Sequence, residues 1–400
     1  MGLVDSIFSN NSACRNYFLR WVAIGFLIYI ASILFLDGRQ HKSVFYFFVG
    51  LPSLFVICRF WRHFLSNDRG RVLVVLLLCY FSLSALWSSS DVSVWVAAKY
   101  GVYILCLMVA AEAVSIHFNP QFLVRGIVLV GGTAVLFYTL SIVFGDASVW
   151  SLVSGRSSLS KMVGWGEDSP ITSAVNLGVI ALAAWWIFPD GRWPSKFLLA
   201  LLVMACVILI FFTKSRGPLL ALVVVIFAIA MLRRTRSDWQ LIALLGMSVG
   251  GVFVFSNVGE IAFARVAAPN YRLEIWLESL QQIRESWVFG QGFGTSANIP
   301  IDTSAGIVTH SHSSFLEMVR IGGVVGGGLF IWMLWSLTRH ALKKPISFFY
   351  LAWLVFGMLC LATDGRLLLR GPSSEWFEFW IPLFLSYFYT RYNSKSLVDG

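Results

Sequence analysis

Residues 197–232 read FLLALLVMACVILIFFTKSRGPLLALVVVIFAIAML. Two apolar runs, 197–213 and 217–232, flank the short polar turn Thr213-Lys214-Ser215-Arg216-Gly217. Each run is long enough, or nearly so, for a helix to cross a hydrocarbon core about 30 Å thick. Similar segments recur at about 21–36, 44–61, 72–87, 94–114, 122–144, 171–188, 239–256, 314–337, 346–362 and 376–390. The 400-residue chain is 58% hydrophobic and only 12% charged, which excludes an ordinary soluble domain. Its mean hydropathy of +0.77 agrees. The expected fold is all-α: a polytopic membrane protein of about twelve transmembrane helices, forming a single transmembrane domain over 1–400.

Arg15 and Arg20 precede the first span, and no small-residue cleavage site follows a short apolar core. That pattern predicts a retained signal-anchor. Alternate loops carry 17 and 11 Lys and Arg residues, so the positive-inside bias places both termini in the cytoplasm. Residues 145–170 and 257–313 then become periplasmic loops, the second much the larger. The net charge of +10 is spread along cytoplasmic loops, where it suits anionic lipid heads and gives no reason to expect nucleic acid. The six cysteines fall in spans or on the cytoplasmic side, so no disulfide framework is expected. No strong internal repeat argues for a transporter built from duplicated halves.

Within 257–313, the spacing of Leu273, Trp276, Leu277, Leu280, Ile283 and Trp287 predicts an amphipathic helix over about 271–287. Asn270 suits its N-cap, and the helix is expected on the membrane surface or against the ends of the spans. Gly290-Gln291-Gly292-Phe293-Gly294 then breaks it, in a pattern too loose for a nucleotide-binding loop.

Several polar groups stand where they could carry chemistry. Lys214 and Arg216 occupy a tight turn against the charge bias, with Pro218 in the first turn of the next helix. They read either as an anion site, with phosphate the natural ligand, or as snorkelling side chains at lipid heads. Arg272 sits at the start of the loop helix, where a cation opposes the helix dipole. It is either scaffold or the partner of a bound anion, and Arg265 and Arg284 share those readings. His310 and His312, in Thr309-His310-Ser311-His312, precede an apolar run. An imidazole there reads as a loop residue or as a general base at a water–lipid boundary, and H-x-H alone is thin support for a metal. Lys99 lies within the fourth span, Glu317 and Arg320 lie just inside the tenth, and Asp364, Arg366, Arg370 and Glu375 cluster after the eleventh. Intramembrane charges default to functional or paired roles.

Three pieces together resemble the O-antigen ligase and polymerase superfamily of bacterial envelope glycan enzymes. They are Ser215-Arg216-Gly217 between two spans, Arg272 to Trp276 leading to the Gly-rich break, and His312-Ser313-Ser314-Phe315-Leu316 with Gly322 downstream. Ser313 stands where the family pattern has Asn, and Phe315 where it has Tyr. The motifs cover roughly 200–330, and the span layout extends the likeness to the whole chain. The resemblance implies an inner-membrane glycosyltransferase that needs neither metal, cofactor nor ATP. Its donor would be a glycan on undecaprenyl diphosphate. Its acceptor would be lipid A-core for a ligase, the reading favoured by one compact loop, or another repeat unit for a polymerase. His312 then becomes the base, and Arg216 and Arg272 the diphosphate clamp. Lys214, Arg265, His310 and Lys99 are the remaining candidate substrate contacts. A lipid or solute transporter would explain the spans and cations, but it would not need His312.

Overall fold

The computed structural model describes residues 2–60, 68–144, 158, 169–190, 193–255, 271–300, 307–343 and 347–392, with side chains beyond 14 in the first helix. Helices dominate: α1 Gly2–Ser32, α2 Gly38–Arg59, α3 Arg69–Leu83, α4 Val94–His117 and α5 Pro120–Phe144. They continue as α6 Pro170–Ile187, α7 Trp193–Thr213, α8 Arg216–Arg233, α9 Arg236–Phe255 and α10 Arg272–Glu285. The last are α11 Ser314–Thr338, α12 Phe348–Thr363, α13 Ser374–Glu378 and α14 Trp380–Tyr392. The described strands, β1 Ile299–Pro300 and β2 Ile307–Val308, pair antiparallel.

Among the described residues, the twelve predicted apolar segments fall largely on helix. Among the described residues, eight helices, namely α2 to α8 and α11, are long and apolar enough to cross a membrane. The predicted twelfth segment is interrupted at Phe379, between α13 and α14. Most of the predicted loop 145–170, with Arg156, Lys161, Glu167 and Asp168, lies outside the described residues, as do 256–270 and 301–306. The bundle has an apolar exterior, with Phe47, Leu129, Phe144, Leu220 and Ile331 all more than half exposed, as lipid contact requires.

Local sequence sets the helix starts. The Asp68 carboxylate accepts the amides of Gly70 and Arg71 at 3.0 and 3.3 Å to cap α3. Ser169 caps α6 just before Pro170. At the same end of the bundle as the α3 N-terminus, Asp68, Arg71 and Glu112 form a buried ionic network. Arg391 and Tyr387 also reach Asp68, and Tyr392 reaches Glu112, which ties α14 to α3 and α4.

At the other end, α11 is broken. Gly323 adopts φ +61° and ψ −165°, so helical hydrogen bonds are lost around it. The chain after α10 replaces them. Gln291 and Gly292 donate amides to the carbonyls of Arg320 and Ile321 at 2.9 and 3.0 Å. In return, Val324 and Val325 donate to the carbonyls of Trp287 and Val288 at 2.8 and 3.2 Å. Tyr80 Oη on α3 donates to the Gly322 carbonyl at 2.6 Å. The Gly-rich break is therefore a backbone segment inserted into a kinked span. It continues onto the end of α3, where Ser84 Oγ accepts the Phe293 amide at 3.0 Å.

Gly290, at φ +72°, is required here because a Cβ would collide with the backbone of Ile321 and Gly323. Gly290→Ala is expected to cost at least about 1–3 kcal/mol from its backbone angle alone. A lowered thermal midpoint in detergent would register the loss, and an unchanged midpoint would contradict this packing.

The loop helix runs shorter than the predicted 271–287. It starts after Tyr271, which makes no side-chain cap, rather than from Asn270, which lies outside the described residues. Its packed face also differs: Ile275 and Ser279 are buried, whereas Leu273, Leu277 and Leu280 are exposed. Ile275 joins Ala297 and Ile299 of the following loop in a small cluster separate from the core of the spans, so this local core outweighs the longer Leu stripe.

Candidate active site

The β1–β2 ribbon returns the chain to the start of α11, where Ser313 Oγ accepts the Leu316 amide at 3.5 Å. Ser313 thus performs an N-cap role in the position where Asn was expected. One residue earlier, His312 adopts φ +49°, a left-handed conformation uncommon outside glycine and often found at functional sites. Its Nδ1 lies 2.9 Å from Oδ1 of Asp364, the residue that ends α12. Burial alone would raise the Asp364 pKa. The hydrogen bond from His312 and the Arg272 charge outweigh it and hold the carboxyl below its ordinary value. An ionised carboxylate only accepts, so Nδ1 is the donor in this contact, which favours the tautomer whose Nε2 is the basic nitrogen of the neutral ring.

His310 stacks obliquely beside His312, with ring centroids 4.2 Å apart. Burial, followed by the charges of His312 and Arg366, pushes its pKa down to about 4. His310 is accordingly neutral near pH 7. It can make hydrogen bonds in this site but adds no charge.

Arg272 is the first residue of α10, and its Nη2 lies 3.4 Å from Oδ2 of the same Asp364. The carboxylate offsets the poor placement of a cation at a helix N-terminus. One aspartate therefore holds a histidine from the α11 loop and an arginine from the α10 loop.

Arg216 begins α8 and is exposed. Ahead of it, Lys214 turns the chain at φ +55°, and Thr213 Oγ1 accepts the Ser215 amide at 3.3 Å. This turn sits against α12: a Cβ on Gly217 would lie 2.9 Å from Thr363 Oγ1, next to Asp364. The N-termini of α8 and α10, each led by an arginine, thus both lie near Asp364. Aligned amides and guanidinium groups of this kind suit an anion.

Lys99 stands in the second turn of α4, exposed, with its Nζ 5.4 Å from the Tyr100 ring centroid. No described contact joins it to His312. Arg265 lies outside the described residues. Among the described residues, no group of three His, Cys, Asp or Glu side chains could hold a metal ion.

A family model described as O-antigen ligase matches residues 199–331. A Pseudomonas aeruginosa protein named O-antigen ligase is 24% identical over 379 residues, spanning 92% of this chain and 90% of its own length. The chain is thus similar to an O-antigen ligase along most of its length. Arg216, Arg272, His310 and His312 all lie inside the matched O-antigen ligase region, whereas Asp364 lies beyond it.

Asp364 is the residue that sequence reasoning left without a role. It was legible only as one member of a charged cluster, although its place at the end of an apolar run was a usable signal.

Proposed function

We propose that this protein transfers a glycan from undecaprenyl diphosphate to a sugar hydroxyl on lipid A-core, the ligation step of lipopolysaccharide assembly. The observation that carries the reading is the shared carboxylate of Asp364, bonded to His312 and paired with Arg272 beside the Arg216 turn. Nε2 of His312 takes the proton of the acceptor hydroxyl. The hydroxyl oxygen then bonds to the anomeric carbon from the face opposite the diphosphate. The glycosyl–phosphate bond breaks, its electron pair leaves with the diphosphate, and the anomeric configuration inverts. Arg216 and Arg272 offset the developing charge, with Lys214 and His310 lining the same region. Arg265 and Lys99 are further candidate substrate contacts. ATP is not required, because the diphosphate is already an activated leaving group, and the two guanidinium groups neutralise its departing charge without a metal.

The proposed reaction belongs at the bacterial inner membrane, and the Lys and Arg distribution favours an orientation with both termini cytoplasmic and this site facing the periplasm. The whole chain then acts as one transmembrane domain, and the described parts of 257–313, residues 271–300 and 307–313, form one wall of the site.

The test incubates purified protein with lipid-linked glycan and either core-lipid acceptor or free repeat units, without ATP or added metal. Product on the core lipid supports ligation. Elongated repeat units instead would identify a polymerase using the same site. Movement of lipid across vesicles without bond formation would make the protein a transporter and overturn the reading.

A further inference from the structure

Glu317 and Arg320 form an ion pair within α11, one turn from the break at Gly323. Arg320 is fully buried and Glu317 is 5% exposed, so neither charge can rely on water. Their hydrogen bonds reach well beyond an i, i+3 pair. Glu317 Oε1 accepts from Arg320 Nη2 at 2.6 Å, and Oε2 accepts from Nε at 3.2 Å. Oε2 also accepts the amide and hydroxyl of Ser311 at 3.2 and 3.0 Å. Ser311 lies between His310 and His312. From the other side of the pair, Arg320 donates Nη1 to Gln291 Oε1 at 2.5 Å and Nη2 to the Thr295 carbonyl at 2.8 Å.

We propose that the buried Glu317–Arg320 pair is a positioning device that clasps Ser311, holds His312 in register with Asp364, and fastens the histidine loop to the Gly-rich segment that follows α10. The clasp explains how His312 keeps a left-handed backbone at the mouth of a helix. Its neighbour is anchored through amide and hydroxyl to a carboxylate that cannot move without uncovering a buried guanidinium. It also links the two loops of the site, since the chain bearing Gln291 and Thr295 leads directly from the helix that Arg272 begins. Neither residue touches the His312 imidazole, and both act through Ser311. The inference rests on the proposed role of His312 as base, but the clasp can be observed apart from any reaction.

Three variants of the full-length protein separate the possibilities. Glu317→Gln keeps one accepting oxygen for Ser311 but turns the other into an NH2 donor and leaves the buried Arg320 charge without its counter-ion. The double variant Glu317→Met/Arg320→Met removes the pair without stranding a buried charge, a replacement that folded proteins often tolerate. Ser311→Ala removes the hydroxyl, which reaches both Glu317 and the Ser313 carbonyl, and keeps the amide contact. Amide exchange at Ser311, followed by mass spectrometry, is read beside kcat and KM for transfer.

In the double variant, Ser311 protection is expected to be lost. Its kcat should fall about 100-fold, as for a base displaced by about 1 Å, with KM within about twofold. Ser311→Ala, which keeps the amide contact to Glu317, should lie between the double variant and wild type, and Glu317→Gln should lower the thermal midpoint further than the double variant because it strands the Arg320 charge. Retained Ser311 protection, or full kcat in a folded double variant, overturns the proposal. If the wild type transfers no glycan while protection is still lost in the double variant, the reaction assigned above fails and the clasp stands.

Discussion

His312→Ala is expected to remove glycan transfer almost entirely, by about 10²- to 10⁴-fold, the usual contribution of a general base. The more discriminating partner is Asp364→Asn. Asp364 holds His312 at 2.9 Å through Nδ1, and as an ionised acceptor it favours the tautomer whose Nε2 can take the proton of the acceptor hydroxyl. An amide in its place can donate to Nδ1 and stabilise the tautomer that puts the proton on Nε2, where it blocks the reaction. It also removes the anion opposite Arg272. Asp364→Asn should therefore fall within about tenfold of His312→Ala, and the double variant should be little worse than either, since the two groups act as one unit. Transfer rates with saturating donor and core-lipid acceptor decide the matter. Full activity in Asp364→Asn would leave His312 without its orienting partner, and full activity in His312→Ala would remove the base altogether.

Much of the membrane architecture could be read from hydropathy, because lipid leaves a spanning segment few options but a long apolar helix. The arginines and the histidine could also be found, since their short motifs stand against the local charge bias or at a span boundary. Tertiary contacts were harder to see. Asp364 lies 52 residues after His312, and nothing in local spacing joins them. The Gly-rich break looked like a helix terminator. Its glycines instead permit backbone to enter the kink of α11, a role defined only by a partner about 30 residues away. Likewise, Leu273, Leu277 and Leu280 have the spacing of a packed stripe but remain exposed, while Ile275 meets Ala297 and Ile299. Periodicity reports that a helix is amphipathic. It does not say which of two adjacent apolar faces finds protein.

Arg216→Ala and Arg272→Ala are each expected to lower transfer by about 10²- to 10³-fold, the scale seen when one preorganised donor to developing charge is removed. Their effects should differ from that of Asp364→Asn in kind as well as size. Loss of a guanidinium takes away a permanent charge and no titrating group, so Arg216→Ala should lower the pH–rate profile without changing its shape. Asp364→Asn should change the shape, because it alters the group that governs the imidazole proton. Arg272 is the intermediate case: its Nη2 lies 3.4 Å from Asp364, and losing it should weaken both the clamp and the dyad. Lysine at either position should recover little, since an ammonium cannot reproduce the two-pronged contact of a guanidinium with phosphate. Each variant should keep its thermal midpoint near that of wild type, as Arg216 is exposed and Arg272 is one-third exposed. Normal turnover in both alanine variants would separate the two helix N-termini from the diphosphate and leave His312 and Asp364 as a base without a clamp.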